Sequence, residues 1–101
     1  MNELRSICET FAHEIENAYE NGELYDYLSE NSYDIELRVT PERVLNSVQI
    51  MLAGGGPTIF LDTKRHGIVG YWGGDEAYYG VSYDISDEVD EFMAEIYNYE
   101  R

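Results

Sequence analysis

The residues best equipped to do chemistry are acids. Asp84, Asp87, Glu88, Glu91 and Glu95 recur at three- and four-residue spacing. At about 100° per residue they fall in one sector of a helical wheel. A helix rises about 16 Å from Asp84 to Glu95, so the five carboxylates give one charge per roughly 3–4 Å. One strand of duplex DNA carries a phosphate about every 3.4 Å along its axis. A helix face with that pitch of charge can neutralise lysines and arginines built to meet phosphate. Helix surfaces commonly interleave Lys with Glu and serve solubility alone. Here residues 73–95 hold eight acids and no base. Glu9, Glu16 and Glu20 extend the same surface if the first and last helices lie side by side. Asp75, Glu76, Tyr78 and Tyr79 form a second candidate contact. Tyr is enriched at interfaces, and the Tyr78-Tyr79 pair is expected to be exposed.

The other chemistries are weaker. His13 and His66 are the two histidines, and Cys8 is the one thiol. Tetrahedral metal ligation needs closely spaced His and Cys groups, so both histidines read as surface residues. Cys8 lies on an apolar stripe and reads as a small core residue. A Cys–His nucleophilic pair stays open as an alternative, although nothing local activates the thiol. A calcium loop alternates acids around a Gly, and neither Gly74-Asp75-Glu76 nor residues 84–91 match that spacing. Paired carboxylates for glycoside cleavage carry no specificity in a chain with 21 acids. Gly54-Gly55-Gly56-Pro57 lacks a following helix or Gly-Lys-Ser/Thr, so it reads as a turn and not a phosphate cradle. No catalytic, cofactor or metal residue is expected.

The elements that hold the acids follow from periodicity. Leu4, Ile7, Cys8, Phe11, Ile15, Ala18 and Tyr19 make one apolar stripe, a helix over residues 3–20 that stops at Asn21-Gly22. Residues 23–29 suggest a short second helix. Residues 33–40 alternate apolar and charged, which is a half-buried strand. Residues 44–53, 58–62 and 67–72 are the next three strands, and their short links favour an antiparallel meander. Residues 73–76 read as a loop, and 77–81 as a segment that pairs briefly with an edge. The last helix begins near Ser82 or Ser86, with Ile85, Val89, Phe92, Ile96 and Tyr99 inward. The expected fold is α+β: a four-stranded antiparallel meander flanked by N- and C-terminal helices, in the order α-(short α)-β-β-β-β-α. Residues 1–101 are expected to form one domain.

Composition bounds the function. A formal net charge of −15 disfavours direct contact with nucleic acid or anionic lipid and favours a basic protein surface. The charge is uneven. Residues 1–23 carry six acids and one base, whereas residues 37–72 carry two acids and four bases. Fourteen aromatics among 101 residues argue for a packed core. A lone Cys suggests a reducing compartment, and no leader or membrane span is expected.

Gly-Gly-Gly-Pro-Thr-Ile-Phe-Leu-Asp-Thr followed by Gly-Tyr-Trp-Gly-Gly-Asp, in a small acidic Tyr-rich chain, resembles short proteins carried by phages and mobile elements of gut bacteria. Some proteins of that kind are anti-CRISPR proteins, and several of those act as DNA mimics on Cas effectors. The resemblance covers roughly residues 53–96 and transfers no functional residue. It implies a non-enzymatic inhibitor in the cytoplasm of a bacterial host cell, bound to a basic nucleic-acid-binding protein. The alternatives are an acidic immunity protein or antitoxin for a nuclease, a small hydrolase, and a structural or assembly protein. The last could dimerise through the edge formed by residues 33–40.

Overall fold

The computed structural model describes residues 3–100, with side chains for residues 3–97. Helices α1 (Glu3–Glu20) and α2 (Leu24–Asn31) precede strands β1 (Asp34–Val39), β2 (Leu45–Ala53), β3 (Thr58–Asp62), β4 (Gly67–Trp72) and β5 (Asp75–Gly80). Helix α3 (Tyr83–Glu100) follows. The sheet is an antiparallel meander in the order β1-β2-β3-β4-β5. The α+β class and the meander agree with the sequence, but there are five strands where four were expected. Gly73 and Gly74, with φ of +59° and +90°, form a two-residue hairpin turn. Positive φ at both central positions marks a type I′ turn, and glycine supplies it without strain. The acids Asp75 and Glu76, expected in a loop, are the first two residues of β5.

The helices cover one sheet face. Helix α1 packs on β4 and β5, and α3 on β2. Ile15, Val48, Ile50, Ile59, Leu61, Ile68, Ile85 and Val89 are fully buried between the layers. Burying side chains of this size stabilises by about 1.5–3 kcal/mol each before entropy is counted. Helix α1 lies close against β4 because Gly70 leaves room. A Cβ there would come within 2.8 Å of Cys8 Sγ and 2.9 Å of Ile59 Cδ1. Tyr27 of α2 donates a 2.7 Å hydrogen bond to Glu14 of α1. Ser86, the second candidate for the start of α3, is buried inside that helix. Tyr99, expected on the inward stripe, lies outside the described side chains.

Among the described residues, the opposite sheet face carries no helix. Alternation along the strands places Phe60, Tyr71 and Tyr78 there, with Arg38, Asp62 and Glu76. Arg38 reaches across β2 to meet Asp62 through two hydrogen bonds of 3.2 and 3.4 Å. Arg65 meets Glu76 at 3.0 Å.

Candidate partner-binding surface

Five carboxylates stand on the outer side of α3. Asp84, Asp87, Glu88, Glu91 and Glu95 are all exposed. The inward side is fixed by Ile85 and Val89, both buried, and this turns the acids to water. Among the described residues, no cation lies within ion-pair distance of any of the five. Asp84 in the first turn also faces the positive end of the helix dipole.

Helix α1 meets the start of this row. Glu16 Oε2 accepts a 3.0 Å hydrogen bond from the Ser82 amide, immediately before α3. Tyr19, one turn beyond Glu16, senses the same acids. Its phenol is pushed up from the ordinary tyrosine value, first by loss of water around it and then by Asp84 and Glu88. Of the α1 acids expected to extend the row, Glu16 is half-buried and reaches its start, and Glu20 is exposed at the end of α1. Glu9 departs from that expectation. It is half-buried, 3.9 Å from His13, and His13 packs edge-on against Tyr79 of β5.

Asp75 and Glu76 also stand apart. They begin β5, whereas α3 follows its end, and the strand between spans about 17 Å. Glu76 is held by Arg65 on the open sheet face. The two tyrosines separate because successive strand residues point to opposite faces. Tyr78 lies on the open face at 38% exposure, and its hydroxyl donates to the Arg65 and His66 carbonyls at 2.6 and 3.1 Å. Tyr79 is half-buried against the core, with the Arg5 guanidinium 5.1 Å above its ring. The expectation that both are exposed therefore fails for Tyr79.

Cys8 is fully buried, and its thiol is pushed up by burial, with Arg5 opposing. A reactive thiolate needs the opposite shift. Among the described residues no group of three or more His, Cys, Asp or Glu is placed to hold a metal ion. No described helix is long and apolar enough to cross a membrane.

The acids of α3 include one that the outer row omits. Asp90 turns inward beside Ser86, one helical turn earlier. Its carboxyl is raised by burial first, with Asp87 and Asp62 adding to the effect and Thr63 and His66 opposing it. His66 is not the surface residue expected: it is half-buried, has φ of +55° and stacks on Tyr83 at 3.9 Å. His66 Nδ1, Ser86 Oγ and Asp90 Oδ1 are buried with no hydrogen-bond partner. A Ser, a His and an Asp are thus near one another, but the nucleophile-to-base hydrogen bond that defines a triad is missing. On the helical wheel Ser86 and Asp90 fall beside Met93, a polar flank of the inward stripe that was readable in advance.

No family model matches the chain, and neither the curated proteins nor the solved structures give a match. The functional reading therefore rests on the surface itself.

Proposed function

We propose that this chain is a non-enzymatic inhibitor whose α3 face occupies the nucleic-acid groove of a basic protein, either a CRISPR effector or a nuclease. One observation carries the reading. Asp84, Asp87, Glu88, Glu91 and Glu95 form an exposed row without paired cations among the described residues, and Glu16 and Tyr19 of α1 adjoin its first turn. The row's pitch of roughly 3–4 Å per charge is close to that of phosphates along one DNA strand. Lys and Arg in a groove built for that spacing meet carboxylates in place of phosphates. The acids bring negative charge already fixed on a rigid helix, so little ordering is needed on binding. Attraction between such exposed charges is screened over about 8 Å at physiological ionic strength, so affinity falls as salt rises.

Displacement of labelled duplex DNA from a panel of CRISPR effectors and nucleases tests the reading, with nuclease toxins included to cover an immunity role. Displacement from at least one member, weakening with added salt, is expected. If every member that binds the chain holds DNA and the chain together without hindrance, mimicry is wrong.

A further inference from the structure

We propose that the free edge of β1 is a self-association site, pairing antiparallel with β1 of a second copy of the chain about a two-fold axis at Leu37. β1 ends the sheet, and among the described residues no strand pairs with its outer side. The backbone groups on that side can be identified. Val48 directs both its N–H and its C=O toward β3, to Thr63 Oγ1 at 2.9 Å and from the Thr63 amide at 3.0 Å. Leu37 lies opposite Val48. It therefore exchanges no hydrogen bonds with β2, and its own N–H and C=O point outward. Alternation puts Ile35 and Val39 in the same position. Consistent with this, the Ile35 amide donates at 3.0 Å to the side chain of its neighbour Asp34.

The side chains of β1 alternate between charged (Asp34, Glu36, Arg38) and apolar (Ile35, Leu37, Val39), and the apolar ones are only partly covered. Ile35 and Val39 are 42% and 45% exposed. Ile35 and Leu37 also line a cleft of about 330 Å³ with Tyr25, Leu28, Phe92 and Ile96. Edge strands left to water are normally blunted, and here the devices are the charges of Asp34, Glu36 and Arg38, a register irregularity between Arg38 and Val39, and the Asp34 carboxylate on the Ile35 amide.

Self-complementarity selects the occupant. Two-fold antiparallel pairing of outward groups must match odd residues with odd residues. An axis at Leu37 sets Leu37 against its own copy and Ile35 against Val39 of the second copy. It also sets Glu36 against Arg38 of the second copy, twice; within one copy Arg38 already meets Asp62 and lies 3.9 Å from Glu36, so the second copy's Glu36 joins a cation that is shared. An axis at Glu36 opposes two glutamates, and one at Arg38 opposes two arginines. An axis at Ile35 sets Asp34 against Glu36. An axis at Val39 brings no opposite charges together. The Leu37 axis alone places opposite charges across without a like-charged pair, the arrangement that stabilises cross-strand neighbours. On pairing, the Ile35 amide exchanges the Asp34 carboxylate for the Val39 carbonyl of the second copy.

Sedimentation from micromolar to millimolar concentration, with hydrogen exchange at both ends, tests this on the whole chain. A monomer–dimer equilibrium is expected. The Ile35, Leu37 and Val39 amides should gain protection only where the dimer is populated, while Glu36 and Arg38 are protected throughout. Glu36→Arg, at an exposed position, sets like charges across the axis twice and should raise the dimer dissociation constant about tenfold or more. Glu30→Arg, the same charge change on α2, should not weaken the dimer. A monomer at millimolar concentration with those three amides exchanging freely overturns the proposal. So does a dimer that leaves them unprotected or that Glu36→Arg does not weaken.

Discussion

The outer side of α3 and the open face of the sheet are built from the same acids and behave differently. On the sheet, Asp62 is held by Arg38 and Glu76 by Arg65. On α3, five carboxylates stand without cations among the described residues. Acid content is therefore a poor guide to a binding surface. What distinguishes the two is whether the fold supplies a neighbour of opposite sign. A paired carboxylate has already spent its attraction inside the molecule, whereas an unpaired row keeps it for a partner and adds self-repulsion meanwhile.

Substitutions can break that contrast, and the largest effect is expected on α3. Asp84, Glu88 and Glu91 changed together to Lys should weaken binding to the partner from which DNA is displaced by about a hundredfold or more, read by titration at low salt. Circular dichroism should show an unchanged fold, because all three side chains point to solvent. Reversal of Glu23, just before α2, with Asp26 and Glu30 on it should have a much smaller effect; equal losses from the two triples would mean that only net charge matters. Next comes stability. Arg38→Ala leaves the nearly buried Asp62 carboxylate without its bidentate partner and should cost about 2 kcal/mol in denaturant unfolding. A cost near zero would show that the sheet-face pairs are ornamental. Glu76→Gln disrupts an ion pair between two half-exposed side chains and should cost under about 1 kcal/mol.

The smallest effect has a defined sign. Asp90 has its folded pKa raised above the ordinary carboxylate value, chiefly by burial. Over the pH range just above that ordinary value, the folded state holds the proton more tightly than the unfolded chain does. Its contribution to stability is therefore full at low pH and falls as pH rises through the folded pKa. Asp90→Asn should raise the melting temperature at pH 7 and by less at pH 4. A larger gain at pH 4 would reverse the assignment.

Much of the fold was legible because periodicity reports it directly. The stripe of α1 and the inward row of α3 as far as Met93 appear with one buried face, whereas the alternation of β1 appears without one: Tyr33, Ile35 and Val39 are exposed, as is Ile96 of α3. β5 was missed because its acids resembled a loop, although Gly73-Gly74 between two short runs is a hairpin turn. The separation of Tyr78 from Tyr79 follows from strand alternation once β5 is granted. The candidate surface was only half legible. The α3 row lies on one element, so a wheel suffices. The pairing of Asp62 with Arg38, or Glu76 with Arg65, joins separate strands and turns, and only the folded register brings them together. The inward turn of Asp90 and Ser86 was visible on the wheel but carried no signal that their polar atoms would lack partners.

Each strand of the sheet lies beside the one next to it in the chain, and this bears on how the molecule is made. The hairpins close over short loops, so their entropic cost is low and the sheet can form quickly. The helices depart from this: α3 packs on the distant β2, and α1 packs on β4 and β5, which are synthesised long after it. As the nascent polypeptide leaves the ribosome, that helix emerges before the strands that cover its greasy side. It must wait until most of the molecule has appeared before it finds its seat.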